Sequence, residues 1–427
     1  MALNIEEKPY NFTPRGQKLL FIVSSDNAGQ PGFKYGVSIV ETSTGKTYFY
    51  YYSPTFADSK LYFDLSPLVL LRNSESSNAI HSNVTAGTYV EPIGSAWEEY
   101  TVTFSEWWLI DGILSENTGV TASDVLKVFN AYYQISDGYR PNVETGNANV
   151  KFAMQNSTSY LWSDRKQTTY IWPLADSYNP LQPNAIYIPV WPTDYGLIYV
   201  TGTSDLSNNF ARKYRINFYD GTGGLPIQNV LDLQGLEIEG IPIYPANLEN
   251  NTDGLPIPSA YPNWTHYTLT MRNASNSLSN SYQYVFINAE RFGLIDCRFD
   301  VIRLAWVSSR CGWDYFNFTK RSENSYNIER RQWRQPLPNQ YLSSSRQQTD
   351  RQSVVNKIIT VTSDWLQEGE FEFLKNLLIS NQVQIVNEDG TQTPVNIQES
   401  SYVARRERTG RLFNLTLKIS YSQDYWS

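Results

Sequence analysis

The sequence predicts a mainly β protein with an N-terminal β-sandwich, an irregular β-rich middle region and a small C-terminal α+β unit. Short apolar or alternating segments recur at intervals of about 8–12 residues with turn residues between them, which is typical of sandwiches. Aromatic residues make up 15% of the 427 residues, and rings that bury about 150–250 Å² each provide ample core material. One stretch near the C-terminus instead repeats apolar residues at helical spacing.

We divide the chain into five parts. They are an N-terminal arm (1–14), a β-sandwich domain (15–140), a β-rich middle domain with long loops (141–320), a basic linker or arm (321–351) and a C-terminal α+β domain with one amphipathic helix on an antiparallel sheet (352–427). The loops of the middle domain include Pro- and Gly-rich pieces at 220–226 and 241–245. Long loops of this kind are usually functional or form intermolecular contacts.

The predicted sandwich begins with a short buried strand at residues 19–23. Residues 33–40 and 47–52 face each other across the turn that ends at Gly45, which predicts a β-hairpin with the glycine at positive φ. A further short strand at 61–65 stops before Pro67. Residues 99–104 alternate with period 2, as a half-buried strand does.

The rest of the chain contains further strands and one helix. In the middle domain the strand candidates are residues 185–190, 196–201, 213–219, 265–271, 282–288 and 301–307. After a strand that ends at residue 362, Ser363 is a predicted helix N-cap and Asp364 suits the helix dipole. Apolar residues then predict an amphipathic helix of about four turns: Leu366, Phe371, Leu374, Leu377 and Leu378. Two hairpins follow, one pairing 383–386 with 395–397 around Asp389-Gly390, the other pairing 402–406 with 411–421.

Composition excludes several classes of function. The formal charge of −8 argues against a general nucleic-acid binder, which needs a basic face. With two histidines (His81, His266) and two cysteines (Cys297, Cys311), a three-histidine zinc site and a disulfide-dense framework are excluded. Residues 1–14 contain no apolar core of a signal peptide, and no stretch approaches about 18 consecutive apolar residues. We therefore expect neither export nor contact with a membrane.

Catalytic motifs are missing from the sequence. Gly45-Lys46-Thr47 is similar to the end of a phosphate-binding loop, but Val40 stands where the first glycine of that motif belongs. No G-x-S-x-G motif is present, and no spacing among the carboxylates singles out a glycosidase pair. We expect no enzymatic activity, no catalytic or metal-binding residues and no cofactor.

The basic segment stands out against the acidic whole. Its candidate interface residues are Arg321, Arg330, Arg331, Trp333, Arg334, Arg346 and Arg351. Three interpretations are open: nucleic-acid contact through arginine and aromatic side chains, docking onto an acidic neighbouring subunit, or a solvated linker. We favour docking, because arginine is enriched in protein interfaces.

Two blocks of the sequence carry a resemblance to a known family. The first comprises FKYGVSIV at 33–40, the strand that ends at Tyr52, and LYFDLSPLV at 61–69. The second comprises RLAWV at 303–307, GWDYFNF at 312–318, TSDWL at 362–366, VQIV at 383–386, TPV at 393–395 and RLFNL at 411–415. Together they resemble structural tail and neck proteins of tailed bacteriophages that infect Bacteroidetes, crAss-like phages included.

The resemblance implies a virion component of the neck or tail, assembled in the host cytoplasm. Copies of the chain would form a ring around the DNA conduit, contact other neck and tail proteins and line the DNA path indirectly. Two alternatives stay open. One is a receptor- or glycan-binding tail fibre or collar spike that stacks sugars on Trp107, Trp108, Trp172 or Trp191. The other is a polysaccharide-degrading enzyme.

Overall fold

A computed structural model covers the full chain. The residues that it describes are 3–9, 12–16, 18–70, 91–92, 97–132, 165, 185–200, 213–219, 227–232, 239–250, 258–272, 278–291, 299–309, 312–337, 339–364, 366, 368–398 and 414–423. Strands dominate these residues and helices are few, which confirms the predicted mainly β class.

The N-terminal part forms a β-sandwich. Its elements are β1 (Leu3–Glu7), β2 (Phe12–Gly16), β3 (Leu20–Ser25), β4 (Lys34–Glu41), β5 (Thr47–Tyr52), β6 (Leu61–Asp64), α1 (Ser66–Leu70), β7 (Glu91–Pro92), β8 (Trp97–Ile110) and β9 (Ile113–Tyr132). One sheet has the order β1-β3-β6 and the other the order β2-β9-β8-β4-β5. Alternate residues of both sheets, such as Phe21, Val37 and Phe104, share one buried core.

Local sequence signals explain much of the sandwich. The predicted hairpin is confirmed as β4–β5, and Gly45 in its turn has φ +66°. The first fourteen residues differ from the expected N-terminal arm, because β1 pairs with β3 and β2 pairs in parallel with β9. These residues therefore complete the two sheets of the sandwich.

The middle region contains two smaller sheets. Its elements are β10 (Ala185–Val190), β11 (Ile198–Val200), β12 (Lys213–Tyr219), β13 (Ile227–Asp232), β14 (Glu239–Ile241), α2 (Pro245–Glu249), a 3₁₀ turn (Pro258–Ala260), β15 (His266–Arg272) and β16 (Leu278–Asn288). A five-stranded sheet has the order β10-β16-β15-β12-β13, and a three-stranded sheet has the order β11-β14-β7. The short strand β7 thus joins the N-terminal part of the chain to the middle region.

A seven-stranded sheet organises the last third of the chain. Its elements are β17 (Ile302–Val307), β18 (Trp313–Phe318), β19 (Glu323–Arg334), β20 (Gln348–Thr362), α3 (Glu368–Ile379), β21 (Val383–Val386), β22 (Gln392–Ile397) and β23 (Thr416–Tyr421). The strand order is β18-β17-β21-β22-β23-β20-β19. Because β17 and β18 belong to this sheet, the C-terminal unit begins near residue 299 and not at 352.

The helix on this sheet confirms the amphipathic prediction but not its start. Leu374 and Leu377 of α3 are fully buried, and Phe373 lies 5.1 Å from Trp306 between ring centroids. The helix begins at Glu368, so the N-cap prediction for Ser363 is wrong. The Ser363 hydroxyl instead accepts a hydrogen bond from the Leu415 amide and donates to the Asp364 carbonyl. The predicted partner strand 402–406 of the last hairpin lies outside the described residues.

Strands β17 and β18 are buried on both faces. Leu304 and Trp306 face α3, whereas Ala305 and Val307 pack into the core of the middle region. Alternation places Arg303 on the same face as Ala305. One end of the seven-stranded sheet is therefore covered by the helix on one side and by the middle region on the other.

A buried ion pair crosses the contact between the middle region and this sheet. Arg303 Nη1 donates to Asp194 Oδ2 and to Asn317 Oδ1, each at 3.0 Å, and Asn317 Nδ2 donates to Asp194 Oδ2 at 2.7 Å. The Arg303 guanidinium also lies 4.8 Å from the ring centroids of both Tyr244 and Tyr315. Burial raises the pKa of the Asp194 carboxyl, and the Arg303 charge opposes that rise.

We expect Asp194→Asn to lower the free energy of unfolding by about 3–5 kcal/mol, because it leaves the Arg303 charge buried without a counterion. Urea denaturation followed by tryptophan fluorescence measures this loss. Asp350→Asn is the matched control, since Asp350 pairs with Arg330 at 3.8 Å on the surface, and its loss should stay within about 1 kcal/mol. Equal losses in the two variants would contradict the role given to the buried pair.

His266 supplies a second test of the buried interior. Its ring is stacked on Tyr219 with centroids 4.4 Å apart, and Nδ1 lies 3.0 Å from the Thr265 hydroxyl. Burial lowers the pKa of His266 to about 4, whereas an unfolded chain binds this proton near pH 6.5. Between these values the unfolded state holds more protons, so stability falls as the pH falls.

We therefore expect the wild-type protein to lose about 2 kcal/mol more stability than His266→Gln between pH 7 and pH 5. Urea denaturation of both proteins at the two pH values gives this difference, and groups common to both cancel. Parallel pH profiles would show that His266 is protonated as readily in the folded protein as in the unfolded chain.

Candidate subunit interface: the β19–β20 arm

The candidate interface residues all lie on one β-hairpin, which we call the arm (residues 321–357). Strand β19 pairs with β20 from Glu323↔Thr360 to Arg334↔Gln348. At the base, residues 358–362 of β20 also pair with β23. Beyond that point, within the described residues, the two strands pair only with each other. The nine residues from Tyr326 to Arg334 extend for about 30 Å.

The arm is exposed on both of its faces. Every residue of β19 is exposed, and the side chains of Tyr326, Ile328 and Trp333 are about half exposed. The loop between the strands adds Tyr341 and Leu342, which are exposed to 64% and 74%. Exposed apolar groups of this kind are typical of surfaces that bind another molecule, which makes the arm a candidate interface.

Strand alternation divides the arginines between the two faces. Arg330 and Arg334 share a face with Ile328, and Arg331 shares the opposite face with Trp333. Arg351 is the extra residue of a β-bulge between the Arg331 and Gln332 pairs. Arg321 lies at the base and Arg346 in the tip loop, so the structure brings all seven sequence-predicted residues onto the arm.

The arm is positively charged within an acidic protein. It contains seven basic and three acidic residues, a net charge of +4, and because the whole chain carries −8 the remaining residues carry −12. Arg330 pairs with Asp350 at 3.8 Å, and Arg321 pairs with Glu323. Within the described residues no carboxylate lies within ion-pair distance of Arg331, Arg334, Arg346 or Arg351. These guanidinium groups are available to an acidic or aromatic partner surface.

The apolar side of the arm continues the core of the seven-stranded sheet. Ile359 and Val361 of β20 are buried under α3, and the alternating residues Val355 and Lys357 extend the same face beyond the helix. Lys357 Nζ lies 5.5 Å from the ring centroid of Tyr421 on β23. A two-stranded ribbon is only marginally stable alone in water. Coverage by a partner would therefore stabilise the arm as well as the complex.

The tryptophans proposed for glycan stacking have different surroundings. Trp191 is buried at 8% exposure, and Trp108 is stacked on Phe33 with centroids 6.5 Å apart. Trp172 lies outside the described residues. Trp107 lies on the outer face of the five-stranded sheet and contacts Phe49 and Tyr51. The sequence alone did not single out Phe49 or Tyr51 as candidate binding residues.

Metal chemistry receives no support from the geometry. Within the part of the chain that the structure describes, no group of three His, Cys, Asp or Glu side chains could hold a metal ion. His81, Cys297 and Cys311 lie outside the described residues. None of the described helices is long and apolar enough to span a membrane.

Comparisons with known proteins leave the family open. No family model matches the chain, and no curated protein matches it. Among solved structures the chain is similar to "Crystal structure of CBD12 from CALX1.2", with 7% identity over 67% of this chain and 100% of that chain. The TM-score is 0.17, so this likeness carries no argument about fold or function.

We expect trypsin to cut the monomer early after Arg334 and Arg346, because both residues are exposed on the arm, and exposed ribbons open at low cost. Arg303 is the internal control, since its side chain is buried and paired with Asp194. Timed digestion with mass spectrometry of the peptides gives the order of cleavage. Early cleavage after Arg303 with slow cleavage of the arm would contradict this structure.

Proposed function

We propose that this chain is a structural virion protein of a tailed bacteriophage. In this proposal it is a homo-oligomeric ring or adaptor component of the neck or tail, which assembles around the DNA conduit in the host cytoplasm and contacts neighbouring tail proteins. The observation that carries the proposal is the arm, with its +4 charge and its exposed apolar groups. The resemblance of the two sequence blocks to phage tail and neck proteins supports the same function.

The shape of the arm favours a ring over a closed dimer. An arm that docks on a different surface of the next copy forms a heterologous interface, and such interfaces close into rings when the rotation permits. A two-fold dimer would instead require the arm to meet the arm of its partner. Two ribbons of charge +4 repel each other, so the acidic remainder of a neighbouring copy is the better partner.

The size of the arm is sufficient for a stable contact. A ribbon about 30 Å long and about 10 Å wide presents roughly 300 Å² on each face. Both faces, the edges and the tip loop together approach the roughly 800 Å² per partner of a standard interface. The arm can therefore supply a standard interface only when the neighbour contacts most of its surface, and a smaller contact depends on the strength of its individual pairs.

Replacing Arg330, Arg331 and Arg334 together by glutamate should impair assembly while the monomer stays folded, because the three side chains are exposed and their charge is reversed. Native mass spectrometry measures the assembly state, and circular dichroism checks the fold.

The matched control is the triple lysine variant at the same positions, which keeps the charge and should retain assembly at reduced strength. Rings formed by the glutamate variant at the wild-type concentration would contradict the role of the arm. Cryo-electron microscopy of the particle that found this chain outside the neck and tail would overturn the proposed function itself.

A further inference from the structure

Two exposed rings and one half-buried ring form a compact aromatic cluster on the sandwich, which we call the aromatic corner (Phe49, Tyr51 and Trp107). The ring centroids are 4.9 Å apart for Phe49–Tyr51, 5.9 Å for Phe49–Trp107 and 5.1 Å for Tyr51–Trp107. The planes meet at 70–85°. Phe49 and Tyr51 are exposed to 43% and 44%. The three rings therefore pack edge to face, and Phe49 and Tyr51 remain accessible to a partner.

The sheet fixes the position of the corner. Strand β5 is the edge of the five-stranded sheet, and its residues alternate so that Tyr50 packs toward the core while Phe49 and Tyr51 point outward. Trp107 Nε1 donates to the Ser105 hydroxyl at 2.9 Å. A Cβ at Gly36 would lie 2.6 Å from Trp107 Nε1, so only glycine permits this close approach of the indole to β4. The corner is therefore preorganised in the single subunit.

The charges around the corner favour a cationic partner at long range. Residues 1–132 contain 14 acidic and 8 basic residues, a net charge of −6. Beside Trp107 itself, Lys34 on β4 and Glu116 on β9 are the cross-strand neighbours, so the immediate surroundings are neutral. The net negative charge of residues 1–132 would attract a basic partner. The cationic groups of that partner would then stack on the faces of the aromatic rings. A guanidinium group stacks on such faces more often than any other side-chain cation.

We propose that the arm of one copy docks on the aromatic corner of the next copy, with guanidinium groups of Arg330, Arg331 or Arg334 stacked against Phe49, Tyr51 and Trp107. This inference rests on the proposed ring function and names the surface that receives the arm. In a single copy strand β19 of the arm and the corner residues Phe49 and Tyr51 are exposed, so the arm and the corner do not cover each other. Their charges of +4 for the arm and −6 for the sandwich are complementary.

The central experiment compares three variants by native mass spectrometry and sedimentation. Phe49→Arg/Tyr51→Arg places like charges in the corner, and Arg330→Glu/Arg331→Glu/Arg334→Glu reverses the arm. Tyr62→Arg is the matched control, because Tyr62 is equally exposed on the outer face of the other sandwich sheet. Each of the first two variants should weaken self-association at least about tenfold, whereas the control should assemble as the wild type does.

A mixture of the two defective variants gives the sharpest result. For this mixture the corner variant is Phe49→Ala/Tyr51→Ala, because arginines at these positions would attract the glutamates of the arm variant. This corner variant keeps an intact arm and the arm variant keeps an intact corner, so an equimolar mixture should form discrete dimers with one functional interface. A mixture that remains monomeric would overturn the pairing of these two surfaces. Rings formed by the corner variant would also overturn it while leaving the proposed function in place. A wild-type chain that stays monomeric throughout would overturn both.

A photo-cross-linking measurement avoids dependence on the folding of the variants. The residue at Trp333 is replaced by p-benzoylphenylalanine in an otherwise wild-type chain, and equal amounts of isotopically heavy and light copies are mixed. We expect cross-links between position 333 of one copy and peptides of a differently labelled copy that contain residues 47–52 or 105–109. Cross-links confined to other surfaces, or to an added glycan or DNA, would contradict the inference.

Discussion

The ion pair between Arg303 and Asp194 is the interaction on which the arrangement of the C-terminal half depends. It joins the seven-stranded sheet to the middle region, and the guanidinium lies between the rings of Tyr244 and Tyr315. Removing one partner of a buried ion pair costs about 3–5 kcal/mol. The pair therefore favours the relative position of the two units in which Asn317 also bonds both partners.

This fixed position has a consequence for the arm at the opposite edge of the same sheet. Strands β17 and β18 are buried on both faces, and four strands (β21, β22, β23 and β20) connect them through the hydrogen-bonded sheet to β19. The base of the arm is thus joined to β17 and β18 through one hydrogen-bonded sheet, whereas beyond Ile358 the two strands of the arm pair only with each other within the described residues.

The sequence predicts those parts of the fold in which local chemistry and tertiary packing agree. The β4–β5 hairpin is predictable from Gly45, and the face of α3 from its leucines. Ser363 shows the opposite case, since a hydroxyl suited to capping a helix bonds the amide of Leu415, the residue before β23. The arm has no period-2 pattern because both of its faces are exposed. In β5 the run TYFYYY shows no alternation of apolar and polar residues, because every position carries an aromatic ring or a hydroxyl. The sequence therefore does not indicate which of these rings point outward.

The conformational entropy that the arm loses when a contact forms affects the strength of the proposed assembly. A segment that is ordered only on binding loses conformational entropy at that step, whereas the paired arm has already lost most of it when the monomer folds. The remaining free-energy cost is the desolvation of the arginine side chains. This cost is small because guanidinium groups are weakly hydrated. In the proposed ring, the preorganised corner and the already paired arm would leave more of the contact energy for association, so that contacts made by one hairpin could hold neighbouring copies together.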